Sequence, residues 1–406
     1  MKTSALVTVT FSACLFFYSC KKTEQTVQNV LPADGTYDNS NFAHNTRADS
    51  TLAANFQKLV SEVQKGRPGT VSQVESGTRG QTLSASTLYN LFNNPINGQR
   101  VADIATEHYK SLVGNANTGY FKDLEMSSGR DWPVSERIIP VPDGAKGGRF
   151  GGEGGYLFNK FGIESEQIVD KAFYGSLYNK VFTDYLTPEK VNLANVDRAL
   201  LLYGAPTTFP NGIPSLSQGR TLNDRFAAQY AARRDNSNGP NAAGYYTIIK
   251  QNFILLQRAL KNNDKNLVSN AIKNIRENWE KAIGATIINY LHASKGKIGN
   301  EIASVSASAY HAYGEAIGFL NGFLGVTAPR IITDSQINEL LSILKANPIT
   351  AQNNPILLEN PGNIGAFDTA INKLKEIYGF TSDQIEYFKL NDITTRNKGY
   401  RIDLEE

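Results

Sequence analysis

Ser308 to Phe323 reads SAYHAYGEAIGFLNGF, and its spacing decides the fold. Apolar and small residues recur at three- and four-residue steps, the period of a helix with one side buried. The stretch therefore predicts the middle of a long helix over Ile302 to Phe323. Gly314, Gly318 and Gly322 fall four apart on it. Each mid-helix glycine costs about 0.5 to 1 kcal/mol relative to alanine, so the row implies close approach of another helix, or room for a ligand. The expected neighbour is the helix at Asp264 to His292, which turns at Lys295-Gly296 and is followed by an antiparallel return. The same stretch holds His311, one of four histidines, and Glu315. At i and i+4 an imidazole and a carboxylate can face one ion or one substrate group. Packing spine is the first reading of the stretch and ligand site the second.

Working outward, helical periodicity recurs along the chain. It predicts helices from Ser50 to Val63, Leu83 to Phe92, Val101 to Leu112, Ile163 to Leu186, Val191 to Tyr203, Phe226 to Arg234 and Tyr245 to Asn262. Three more follow at Asp334 to Leu344, Ala366 to Tyr378 and Ser382 to Phe388, the last capped by Thr381 or Ser382. No period-two strand pattern is sustained, so the fold class is all-α. Gly114 to Gly155 is the least regular part, and its glycine-rich centre, Gly147 to Gly155, reads as a flexible surface loop. It lacks a preceding strand and a following Gly-Lys-Ser/Thr, which a phosphate-cradling loop requires.

The chain opens with a short positive region at Lys2 and an apolar run from Ala5 to Tyr18, the pattern of a signal peptide over 1–19. Phe17-Tyr18-Ser19-Cys20 resembles a bacterial lipobox, with Cys20 as the acylated first residue. Residues 20–49 then read as a flexible tether, being poor in large apolar side chains. The two cysteines, Cys14 and Cys20, both lie in this region, which leaves the mature chain without a disulfide or a cysteine nucleophile. Forty-one basic against thirty-eight acidic residues give a net charge of +3; without a basic stripe, nucleic acid is not the expected partner.

Three further groups of residues carry a resemblance. Tyr156-Leu157-Phe158-Asn159-Lys160-Phe161-Gly162 leading into a helix, Ile275-Arg276-Glu277-Asn278-Trp279-Glu280-Lys281-Ala282, and Glu315-Ala316-Ile317-Gly318-Phe319 together resemble imelysin-like lipoproteins, and more narrowly the domain-of-unknown-function family 4856. The resemblance covers about Ser50 to Tyr378. It implies two packed helical bundles with long connecting loops, about 50–215 and 216–406. The wider imelysin group includes metallopeptidases and proteins linked to iron or haem uptake, marked by Gly-x-His-x-x-Glu. This chain departs from that motif, since Gly314 stands three residues after His311 and the acid follows at Glu315. It also reads Asn195-Val196-Asp197-Arg198-Ala199 where the narrower family has a His-Trp-Asp-Glu-Ala-like stretch.

The function expected from the sequence is that of an exported, outer-membrane lipoprotein, facing the periplasm or the exterior, that binds a ligand or an envelope protein partner. Iron, haem or another nutrient is the cargo class that the resemblance suggests. The alternative is a zinc- or iron-dependent peptidase using His311 and Glu315 with a further ligand such as His108 or His292; Glu301 lies three turns away and joins them only if the helix bends. A structural envelope component is the third reading.

Overall fold

The computed structural model describes residues 36–138, 141–152, 154–207, 224–235, 244–298, 306–346 and 364–390. The predicted signal peptide, Cys20, Glu301, the first residues of the predicted Ile302–Phe323 helix and the connection at 209–219 lie outside them. In chain order the helices of the N-terminal part are α1 (Phe42–Asn45), α2 (Arg47–Gln64), α3 (Val71–Glu75), α4 (Ala85–Asn93), α5 (Glu107–Val113) and α6 (Gly119–Ser127). A hairpin follows, β1 (Gly148–Phe150) and β2 (Tyr156–Phe158), and then α7 (Ser165–Lys180), α8 (Leu193–Tyr203), α9 (Phe226–Arg233) and α10 (Tyr245–Lys261). The chain continues through α11 (Lys265–Lys297), α12 (Ala307–Phe323), α13 (Asp334–Ile343), α14 (Gly365–Tyr378) and α15 (Ser382–Tyr387). The fold is all-α, with one two-stranded antiparallel sheet among the described residues. No helix among them is long and apolar enough to cross a membrane.

Local chemistry sets the ends of these helices. Thr70, Thr333 and Thr381 each accept from the backbone N–H three residues on, and the glutamine there returns the bond, completing capping boxes for α3, α13 and α15. Asp264 caps α11 by accepting from the Leu267 N–H. Gly204, with φ of 100°, stops α8 in a left-handed turn that a side chain resists. The predicted turn at Lys295-Gly296 is instead the last turn of α11; Lys295 and Lys297 suit the negative end of its dipole there.

Two expectations are corrected. Residues 36–49, expected as tether, fold onto the helices: the Tyr37 hydroxyl donates to Asp197 at 2.6 Å, and the Asn45 amide donates to the other Asp197 oxygen at 2.7 Å. Asp49 accepts from Tyr185 at 2.6 Å and from Arg198 at 2.7 Å. The segment is anchored by polar side chains finding buried partners, a mechanism that apolar content does not reveal. The glycine-rich stretch is the hairpin, with Arg149 opposite Leu157 and Phe150 opposite Tyr156. Three apolar residues are too few to show a strand period, yet all of β2 is buried.

The core is built around α11 and α12. Helices α10 and α11 run antiparallel, tied by the Asn274 amide donating to Asn252. Helix α12 returns antiparallel along α11, where the Ser294 hydroxyl donates to the Ala309 carbonyl at 2.9 Å and Tyr290 stacks on Phe319. Trp279 on α11 sits among Tyr178, Phe182 and Tyr203. The glycine row of α12, however, does not face α11. A methyl on Gly318 would lie 2.6 Å from the Gln167 carbonyl, one on Gly322 2.8 Å from that of Ala172, and one on Gly175 would overlap the Gly322 carbonyl. The row therefore meets α7, in parallel, almost backbone to backbone. Buried apolar residues from Tyr37 to Phe388 form one continuous cluster, and the α7–α12 seam crosses the boundary expected between the two bundles.

Candidate functional site

The site begins where the hairpin hands the chain to α7. The Asn159 side-chain oxygen accepts the N–H groups of Phe161 and Ile163, fixing a turn that delivers Glu164 to the N-terminus of α7 and Glu166 to its first turn. Carboxylates are favoured there by the helix dipole, which partly offsets their burial; Glu164 is 0 % exposed. The parallel seam then places the start of α12 beside them. His311 Nδ1 lies 2.5 Å from Glu164 Oε2, and His311 Nε2 faces Glu315 Oε2 at 3.5 Å. Tyr156 of β2 stacks flat on the imidazole, with ring centres 4.2 Å apart and planes 7° from parallel.

Charge alternates through the cluster. Arg67 pairs with Glu166 at 3.3 Å and lies over the Tyr156 ring, and the Gln64 amide donates to the same Glu166 oxygen. On the other side Glu315 Oε1 stands 3.8 Å from Lys171 Nζ, which pairs with Asp170 at 2.6 Å. Burial opposes charge on Arg67, Glu164, Glu166, Lys171 and His311. It pushes the Glu166 carboxyl up against the pull of Arg67. For Glu164 burial is outweighed by His311 and Arg67, which hold its carboxyl below the usual range. The His311 imidazole is likewise held above its ordinary value by Glu164 and then Glu315, despite its burial. Each partner thus favours the charged form of the other.

A cleft of about 750 Å³ opens beside this cluster, between α9, α11, α12, α14 and α15. His311 and Glu315 reach its floor, with Tyr230, Arg233 and Tyr290 alongside. At its rim Lys295 pairs with Asp368 and Lys389 with Glu386.

The structure places the sequence candidates unequally. His311 and Glu315 lie 3.5 Å apart on one face of α12, and the main partner of His311 is Glu164, 147 residues away. His292 lines the same cleft; burial first, then Lys389, lower its imidazole to about 4, and its Nε2 has no hydrogen-bond partner among the described residues. His108 lies against Gly325, beyond the far end of α12, roughly 20 Å along that helix from His311 at 1.5 Å per residue. Among the described residues no three His, Cys, Asp or Glu side chains are grouped to hold a metal ion. His311 Nε2 and Glu315 face each other as two groups able to ligate, with Glu164 against Nδ1 orienting the ring as a carboxylate behind a ligating histidine does. Glu164, Glu166, Arg67 and Tyr156 were missed as site residues. The only signal for them was two acids at a helix start just after a glycine-rich turn.

Residues 213–347 match the model of a family described as a domain of unknown function (DUF4856). That stretch carries Tyr230, Arg233, Tyr290, His311 and Glu315. No curated protein matches the chain, and no solved structure does.

Proposed function

We propose that this chain is an imelysin-like envelope lipoprotein that binds a small ligand in the cleft between α9, α11, α12, α14 and α15. One observation carries the reading: a concavity of about 750 Å³ whose floor brings aromatic faces, Tyr230 and Tyr290, together with the charged groups of Arg233, His311 and Glu315. Small-molecule sites have this size and this mixture of apolar wall and few placed polar groups. The lipobox-like Phe17-Tyr18-Ser19-Cys20 supports anchoring through an acylated Cys20 at the outer membrane. Calorimetric titration against iron salts, haem and glycans tests the binding role, and silence with all of them alongside peptide hydrolysis overturns it. For the anchor, Cys20→Ser is expected to move the protein from the membrane fraction to the soluble one; retention in the membrane argues against lipidation.

A second reading, metal-dependent hydrolysis, draws on the Glu164–His311–Glu315 arrangement. A metal held by His311 Nε2 and Glu315 would supply an activated water. Elemental analysis of His311→Ala decides it: unchanged metal content removes this reading.

A further inference from the structure

Within the cleft most charges are already matched. Lys295 is held by Asp368, Lys389 by Glu386, and Arg234 Nη1 donates to the carbonyls of Phe388 and Leu390. His311 and Lys171 have short partners in Glu164 and Asp170. Two groups on the floor do not. Glu315 is 6 % exposed, yet its oxygens have no hydrogen bond among the described residues, and their nearest opposite charges stand at 3.5 and 3.8 Å. Arg233 has no carboxylate within ion-pair distance among the described residues; its contact is the face of Tyr230, at 4.9 Å. Glu315 and Arg233 line the same cleft without closing into an ion pair with each other. Opposite charges removed from water normally meet, because desolvation is otherwise uncompensated. A carboxylate reached only loosely by cations that already have closer partners, on the same cleft floor as a guanidinium with no carboxylate partner, offers complementary charges to a guest carrying both.

We propose that the cleft takes a small zwitterion of the amino-acid class, its ammonium group against Glu315 and its carboxylate against the Arg233 guanidinium. Arg233 offers the planar fork that matches a carboxylate in two hydrogen bonds. Tyr230 and Tyr290 flank the same floor and give an apolar or aromatic side chain a face to pack on. The paired rim charges contribute little of either sign, so recognition is concentrated on the floor. This inference rests on the binding role proposed above and names its ligand class.

The test is calorimetric titration of the purified chain with each of the common free amino acids, followed by the N-acetylated and the carboxamide forms of any that binds. At least one free amino acid is expected to bind, with each blocked form weaker by tenfold or more, since a site built for a polar group rejects the analogue lacking it. Arg233→Gln, at a half-buried position, is expected to abolish the distinction between acid and amide while keeping that between free and acetylated amine; Glu315→Gln does the reverse. Blocked forms that bind as tightly as free ones, or no free amino acid binding, overturn the zwitterion. If haem or a glycan binds in that case, the binding role stands without it; if nothing binds, both fall.

Discussion

Glu164 and His311 form a pair whose contribution has a definite pH window. His311 is held above its ordinary 6.5, so its share is complete below that value and is lost as pH rises through the raised one. Glu164 is held below 4.5, so its share is present above 4.5 and is lost as pH falls through the lowered value. The pair is therefore strongest between about 4.5 and 6.5. His311→Gln strands a buried carboxylate, and we expect a loss of about 3 to 5 kcal/mol at pH 6, shrinking as pH rises through the raised imidazole value; urea unfolding at pH 6 and along a rising pH series checks it, and an equal loss throughout would mean the imidazole is neutral in the fold. Glu280 is a different kind of buried acid. Its two oxygens each accept one backbone N–H, from Ile331 and Ile332, at 2.7 and 2.8 Å. Glu280→Gln turns an amide NH₂ toward one of those donors, and should cost about 1 to 3 kcal/mol in thermal unfolding although size is conserved. Periodicity marks both acids as helical but is silent on their partners, because a side chain at residue 311 meeting one at residue 164 is a product of the whole topology.

Among the helices, the α7–α12 seam separates two kinds of glycine. Gly175→Ala drives a methyl into the Gly322 carbonyl, and overpacking of this sort costs about 1 to 3 kcal/mol or more. Gly296→Ala, in the last turn of α11 with open space around its Cβ, should be neutral or stabilising by about 0.4 to 1 kcal/mol. Denaturant midpoints of the two variants, compared with the parent, test the contrast; equal effects would mean the seam is loosely packed. The row of Gly314, Gly318 and Gly322 was legible, and so was the antiparallel return of α12 along α11. The partner of the row was not, because a bare helix face says that a backbone comes close without saying which one. The β1–β2 hairpin escaped for a related reason: three residues are less than two periods of a strand, and β2 is buried by elements distant in sequence, α6, α7 and the start of α12, where Tyr310 packs on Phe158.

For the molecule as a whole, the seam couples the part before α9 to the part after it, and the chain supplies a probe for each. Trp132 lies in the first and Trp279 in the second, and they are the two tryptophans present. Single-tryptophan variants, Trp132→Phe and Trp279→Phe, should report superimposable urea transitions that also match the loss of helical circular dichroism; separated midpoints would show two independently melting bundles. A backbone-to-backbone contact also has a mechanical meaning. Side chains can change rotamer and let packed helices slide, but peptide groups in direct contact have no such slack, so α7 and α12 behave as the fixed anvil of a vice. The jaw is the opposite wall, α14 and α15, which meets the rest through side chains, with the exposed Lys295–Asp368 pair across the cleft mouth, a contact that water readily replaces. Hydrogen exchange followed with and without ligand should find the amides of α7 and α12 slow and unchanged, while those of α15 slow down on binding; the reverse pattern would mean that the anvil, and not the jaw, is what moves.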